Sequence, residues 1–389
     1  MFDRVKQLFN RSPTEGIGIR MINMNDAGYL TWNGKLYKSD IIRACLRPRA
    51  KAIGKAEPQH IRKDANETVI NPEPYMRFIL EEPNAYMSWQ LLAEKVDNQL
   101  QLNNNAFIMI DRNEDGVPIG LYPVNASFVQ LVKDKYGNMY YRFHMMKGEI
   151  YTISMNDVVH LRDDFISNDI FGESPIEALR PVMEVINTTD QGIVKAIKNS
   201  GIIKWLLKFK TTVRPEDMKK QTQDFVKNYM DIENDSVGAA ASDTKYDVQQ
   251  VEPKDYVPNA AQMDRSIRRV YAFFNTNEKI VMSQYNEDEW NAYYEAVIEP
   301  RIIQLAQCLT LKLFNRRERA FGNRIAIKTS NLQYASMSTK LSLMQMVDRG
   351  AMTPNEWRDT LGMPPIPGGD KPIRRLDTAP VTTEGGEDK

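Results

Sequence analysis

Cysteine is almost absent from this 389-residue chain: only Cys45 and Cys308 occur. Two thiols cannot build a disulfide scaffold or a cysteine-ligated metal centre. Both lie in apolar helical contexts, which makes them core residues of a protein kept in a reducing compartment. Histidine is as scarce, and His60, His144 and His160 lack ligand spacing; His160, in the apolar run DVVHL, reads as a satisfied structural group. Net charge is missing as well. Lys plus Arg equals Asp plus Glu at 51 each, which argues against a protein drawn onto nucleic acid by its overall field, though not against one that merely surrounds it. No run of about 18 apolar residues exists to span a membrane, and the best candidate, GIIKWLLKFK, is broken by Lys204 and Lys208. The opening MFDRVKQLFNRSP lacks a signal-peptide core. A soluble protein made in the cytoplasm is expected. There is no Gly-rich phosphate loop ending in Lys-Ser/Thr and no nucleophile elbow, so no enzyme activity, cofactor or metal is expected.

What is present is a sizeable core: 42% of residues are hydrophobic and 26% charged, enough for two or three domains. Residues 1–39 read as an arm, partly disordered. A capped helix over 39–56 carries Ile42, Cys45 and Leu46 on one face and is interrupted by Pro48. Helices follow at YMRFILEEPN and, after Ser88, at WQLLAEKVDNQL. The period then changes to two, with turn signals at Asp115-Gly116, Gly137-Asn138 and Lys147-Gly148, predicting a small antiparallel sheet over 106–162. Helix returns at Ser174, with Pro181 interrupting it early. A strand-like IIKWLLKFKTTV, a proline-started helix at 215–231 and a hairpin over 237–253 come next. The helix at 259–275 carries Met263, Ile267, Val270 and Phe274 as a narrow apolar stripe. A single helix from Asn286 to Arg319, about 50 Å long at 1.5 Å per residue, is expected to kink at Pro300. Beyond 366 the Pro, Gly, Thr, Asp and Glu content predicts a disordered tail. The class is α+β.

Three groups of residues were weighed for chemistry. Asp111, Asn113, Asp115 and Gly116 match the first half of a calcium loop, but Tyr122 stands where the closing bidentate carboxylate belongs; a hairpin turn is the reading. Asp157, Asp163 and Asp164 have the composition of a nuclease's metal carboxylates, against which stands their reading as strand-end charges beside a turn. Arg265, Arg268 and Arg269 line the polar side of the striped helix, where DNA, a neighbouring subunit's carboxylates or water are all possible partners.

The stretch GAMTPNEWRDTLGMPPIPGGD, residues 350–370, is the most constrained by local rules. Thr353, Pro354 and Glu356 form a helix start, Trp357 and Leu361 share a face, and Gly362 with the following prolines ends the helix. Taken in order with EEPN at 81–84, LQLNNNAFIMIDRNEDGVPIGLYPV and DVVHLRDDFISNDIFGESPIEALRPVM, it resembles the portal proteins of long-tailed bacteriophages over most of the chain. Two loops depart from that family's pattern: NNNAF stands in place of a Gly-Asn strand start, and FFNTNEKIVMS in place of a Phe-Gly-Val-Pro-Pro turn.

The resemblance implies a portal fold with a mixed α/β wing, a two-helix stem, a small α/β clip and a helical crown. The wing would be 40–173 plus a long helix at 287–324, the stem helices 174–200 and 255–275, the clip 201–254, the tunnel loop 276–286 and the crown 325–365, with a tail at 366–389. It further implies a dodecameric ring at one capsid vertex of the virion, assembled in the host bacterial cytoplasm, through which double-stranded DNA passes. The implied partners are terminase large subunit, head-completion or adaptor proteins, and major capsid and scaffold proteins. By position, Asn277, Lys279, Gln284 and Tyr285 would face the DNA channel, and Met263, Ile267, Val270 and Phe274 would pack the stem. Lys195, Lys198, Arg265, Arg268 and Arg269 would form its charged face. Glu216, Asp217, Lys219 and Lys220 would dock partners at the clip.

Overall fold

The computed structural model describes residues 20–21, 28–30, 39–63, 68–166, 169–200, 204–209, 214–229, 246–251, 260–328, 337–361 and 363–373. Contacts divide the chain into two units, Met1–Ala178 with Val270–Lys389, and Leu179–Arg269. The N-terminal arm contributes two short strands where disorder was expected. β1 (Arg20–Met21) and β2 (Gly28–Leu30) both pair antiparallel with residues of a later strand, Ala126–Lys133. That strand would otherwise present an open row of N–H and C=O groups along the sheet edge, and the arm satisfies it.

α1 (Asp40–Gly54) runs unbroken through Pro48, correcting the expected interruption. Its Ile42, Cys45, Leu46, Ala50 and Ile53 are all buried, and that packing outweighs the one hydrogen bond a proline removes. Ser39 makes no side-chain cap, and the first-turn donor at Ile41 is met by Asp40 Oδ1 at 2.9 Å. β3 (Glu57–Lys63), β4 (Thr68–Ile70), α2 (Pro74–Glu81) and α3 (Trp89–Asn103) follow. A buried ion pair joins α1 to α3: Arg49 meets Asp97 at 3.0 Å, with side chains 7% and 4% exposed. Gln101 Nε2 donates to the same carboxylate at 2.6 Å and to Leu46 O at 3.3 Å.

The period-two region forms two antiparallel sheets. β5 (Asn105–Arg112), β6 (Pro118–Val124) and β10 (Val158–Arg162) make the order β10-β5-β6. β7 (Ala126–Lys133), β8 (Met139–Met145) and β9 (Ile150–Ser154) make β1-β7-β8-β9, with β2 also on β7. Along β5 alternate residues serve different cores, Ala106, Ile108 and Ile110 facing the helices and Phe107 and Met109 the second sheet, as strand geometry requires. The three anticipated turns each hold a glycine in the left-handed region, Gly116, Gly137 and Gly148 at φ +80°, +95° and +84°. At the first, Asn113 exchanges hydrogen bonds with Val117 through both backbone and side chain, so the calcium-like DRNEDG is organised as a hairpin turn.

α4 (Ile176–Ser200) also passes through its proline, Pro181, without a break. In the second unit, β11 (Lys204–Phe209) pairs with β12 (Tyr246–Val251) over six residues from Lys204↔Val251 to Phe209↔Tyr246. The strand at 246–251 finds a partner across α5 (Pro215–Tyr229); the rest of the expected hairpin, 237–245 and 252–253, lies outside the described residues. α6 (Ala260–Phe273) follows, with Ala260–Arg269 counted in the second unit and the rest in the first.

The expected helix from Asn286 runs without a gap through a π turn to Leu313, and a separate short helix follows. After a short α7 (Glu278–Val281) come α8 (Glu287–Tyr293), a π turn at Tyr294–Ile298, α9 (Glu299–Leu313) and α10 (Arg316–Ala320). Pro300 sits in the first turn of α9, where a missing N–H is tolerated, and the π turn before it absorbs the change of register. The break is at Phe314, which is buried and extended (φ −114°, ψ 135°). Asn315 and Glu318 form a reciprocal capping box that starts a new helix there. β13 (Asn323–Lys328) then joins β3 in the order β13-β3-β4, burying Ile325 in the main core. Residues 325–328, the first of the segment that the resemblance assigns to a crown, thus lie in one sheet with β3 and β4.

α11 (Met337–Ser342), α12 (Met344–Asp348) and α13 (Pro354–Thr360) complete the chain. The predicted start at Thr353 is a full capping box with Glu356. The expected tail is ordered at its beginning, because Asn355 gathers it. Its Nδ2 donates to Ile366 O (3.1 Å) and Asp370 Oδ1 (2.8 Å), while its Oδ1 accepts from Ile366 N (2.9 Å). A Cβ on Gly369 would lie 2.3 Å from Asn355 Oδ1, so the second glycine of GGD is required by close approach. Residues 374–389 are outside the described set.

Candidate functional site

The segment 276–286, which the resemblance places at a tunnel loop, is a folded turn. Asn277 caps α7 by accepting a bond from Ile280 N at 3.0 Å, and Ile280 is buried. Asn275 and Ser283, both at positive φ (50° and 57°), bracket this turn. Lys279, placed by sequence beside Glu278, instead pairs with Glu289 of α8. That hydrogen bond, followed by one from the Asn286 N–H, holds the Glu289 carboxyl below its ordinary range. Gln284 N donates to Lys279 O at 2.8 Å. Tyr285 stacks on Trp290 with ring centroids 4.8 Å apart. Of the four residues predicted to face a channel, Asn277 is thus occupied as a cap and Lys279 is charge-paired. The Tyr285 ring is held by an aromatic neighbour.

Facing this segment is a feature that sequence reasoning missed. α1 displays Arg47, Lys51 and Lys55 on its exposed side, and with Ile280, Tyr285 and Trp290 they line a cavity of about 330 Å³. The signal was available as basic residues every fourth position from 43 to 55.

The two motifs NNNAF and FGESP are bonded to each other. Asn105 Nδ2 donates to Gly172 O and Asn103 O, its Oδ1 accepts from Gly172 N at 2.9 Å, and Asn104 Nδ2 reaches Glu173 O. Asn105 Oδ1 also lies 3.0 Å from His160 Nε2, and Tyr141 Oη lies 3.1 Å from His160 Nδ1. Because Asn105 Oδ1 is fixed as an acceptor by Gly172 N, His160 donates from Nε2 and accepts at Nδ1. It stacks on Phe107 at 4.4 Å beside Tyr141 and Phe171. Burial, with the charges of Arg162 and Lys312, pushes its pKa down to about 3. His160 is therefore a structural group, as the sequence indicates. The folded pKa lies below the unfolded value, so the unfolded chain takes up the proton first. Stability is full above pH about 6.5 and falls as the pH drops toward 3. Replacing His160 by Gln should flatten this part of the curve of unfolding midpoint against pH.

The nuclease-like carboxylates are each engaged elsewhere. Asp157 pairs with Arg112 at 2.9 Å, Asp163 with Arg301, and Asp164 accepts from Asn104 Nδ2 at 3.2 Å. Among the described residues no group of three or more His, Cys, Asp or Glu could hold a metal ion.

The apolar stripe of α6 is divided. Val270 and Phe274 are buried in the first unit, whereas Met263 and Ile267 in the second are half-exposed. Arg265, Arg268, Arg269 and Lys195 are exposed on α6 and α4; the side chain of Lys198 lies outside the described set. On α5, Glu216, Asp217, Lys219 and Lys220 are all exposed.

The phage portal protein family model matches residues 40–362, most of the chain. The chain belongs to the phage portal protein family. It is 23% identical over 343 residues to the portal protein of Enterobacteria phage HK97, covering 83% of this chain and 77% of that one. It is 28% identical over 152 residues to a probable portal protein of Lactococcus phage p2, over 37% and 40% of the two chains. Among solved structures, a chain in the neck of an empty gene transfer agent particle superposes with a TM-score of 0.65 at 15% identity, over 88% of this chain and 98% of that one. An HK97-family phage portal protein from Corynebacterium diphtheriae gives 0.53 at 11% identity, over 79% and 98%. The mixed α+β architecture is thus the portal fold, and no relative speaks for a nuclease. No helix among the described residues is long and apolar enough to cross a membrane.

Proposed function

We propose that the chain closes with copies of itself into a dodecameric ring at one vertex of a phage capsid, a conduit for DNA entering and leaving the virion. The observation that carries this reading is the portal-family match over 40–362; necks of related fold were computed with twelve-fold or six-fold symmetry. In this reading the first unit supplies wing and crown. α4 and α6 form the stem, and β11, α5 and β12 form the clip, whose exposed Glu216, Asp217, Lys219 and Lys220 meet terminase and later the head-completion proteins. Capsid and scaffold proteins would surround the ring, which would assemble in the bacterial cytoplasm. The half-exposed Met263 and Ile267 would be covered by stem helices of the same or next subunit. No reaction and no cofactor are assigned.

A channel that passes duplex DNA must not hold it, since every neutralised phosphate adds affinity and a ring multiplies each contact. Balanced charge (51 against 51) suits a conduit, and the Lys279–Glu289 pair tempers the one cation of the tunnel segment. Purified protein imaged in negative stain should show rings with a central hole; a uniformly monomeric species would overturn the reading. Lys279→Glu should impair DNA packaging or retention in particles while ring assembly persists, and normal packaging would remove Lys279 from the channel role.

A further inference from the structure

Two exposed helical ridges carry like charges four residues apart, and neither joins an ion pair among the described residues. On α1, Arg47 and Lys51 are exposed and join no ion pair among the described residues. Along the π turn and the start of α9, Glu295 and Glu299 are exposed and equally without an ion pair there. Like charges at i,i+4 repel each other and destabilise a helix. Ion pairs do form in this unit, among them Arg49 with Asp97, Arg112 with Asp157, Lys279 with Glu289 and Arg301 with Asp163, but none takes in a charge of either ridge. α1 touches the π turn, yet no bond links the two ridges in one chain. The two ridges are of opposite sign, Arg47 and Lys51 on a regular helix and Glu295 and Glu299 where the π turn passes into α9.

We propose that the basic ridge of α1, Arg47 and Lys51, receives the acidic ridge Glu295 and Glu299 of a second copy of this chain. The contact would be head-to-tail, in which one surface meets a different surface of its neighbour, and such contacts generate rings when the rotation closes. The cavity of about 330 Å³ that Arg47 and Lys51 line with Tyr285 and Trp290 is the socket for the incoming carboxylates. This rests on the ring reading above and deepens it by naming the charges that set the register between subunits. It also gives the cations a partner other than DNA: each ridge relieves the other's self-repulsion, and charge complementarity of this kind fixes register and rejects wrong partners.

Charge reversal tests it on the full-length chain. Arg47→Glu with Lys51→Glu, and separately Glu295→Lys with Glu299→Lys, should each lower the association constant by about tenfold or more. The readout is the mass distribution by size-exclusion chromatography with light scattering. The effect should shrink at about 1 M salt, where the screening length falls to roughly 3 Å. The quadruple variant, with both ridges reversed, should recover ring formation. Circular dichroism checks that each variant is folded. Rings that persist in either double variant would overturn the proposal, as would a folded quadruple variant that fails to recover. A double α1 variant that assembles normally but loses DNA retention would reassign the ridge to phosphate contact. Wild-type protein that never forms rings would overturn the ring reading as well, so the two failures are distinguishable.

Discussion

Gly172→Ala is expected to destabilise the first unit by about 3 kcal/mol or more, read as a lowered midpoint of urea or thermal unfolding. A Cβ at this position would sit 2.2 Å from Asn104 O and 2.2 Å from Asp163 O. Both are backbone atoms. Asn104 O is held by Asp163 N at 2.9 Å, and Gly172 itself is bonded on both sides to the Asn105 side chain. Nothing flexible is available to yield, so either the FGESP turn lifts off β5 or the end of α3 moves. The junction also orients His160, so the variant should lose the acid-side slope expected of the wild type. An unchanged midpoint would mean that the turn does not pack against NNNAF in this way.

Arg49→Met should cost about 3–5 kcal/mol, because it leaves the Asp97 carboxylate buried and uncompensated between α1 and α3. Gln101 Nε2 alone remains as a side-chain donor to it. The double variant Arg49→Met/Asp97→Leu should recover most of that loss, since apolar pairs of similar size often replace a buried ion pair at little net cost. A double-mutant cycle on the unfolding midpoint measures the coupling. If the single and double variants unfold alike, the pair contributes packing only.

How far the fold was legible depended on the distance between cause and effect. The strands and turns over 106–162 were readable because their signals are local, an alternating pattern with a glycine at each left-handed turn position, whereas their division into two sheets rests on long-range pairing. The α13 start was readable for the same reason, as Thr353, Pro354 and Glu356 are adjacent in sequence. Pro48 and Pro181 misled because burial of the helix face outweighs a lost hydrogen bond, and burial is a tertiary quantity. The break at Phe314 was written in the sequence as Asn315-x-x-Glu318, a helix start inside an apparently continuous helical pattern. Of the candidate site, the turn signals of 276–286 were legible but its electrostatics were not. Lys279 chose Glu289, ten residues on, over its neighbour Glu278 because the turn brings α8 back against α7. The order GGD at 368–370 looked like the onset of a tail until Asn355 was seen to bind it.

The pairing of β13 with β3 has a consequence for how the chain is made. His60 and Asn323, bonded at 2.9 Å, are 263 residues apart in sequence. A ribosome adding about 5–20 residues per second needs on the order of tens of seconds to pass from one to the other. Throughout that interval β3 has only the three-residue β4 beside it, and its other edge stands open while the whole of the second unit is synthesised. A nascent portal subunit therefore carries an adhesive strand edge until its last quarter emerges. Crowding of such chains on one message is the circumstance in which they would most readily pair wrongly.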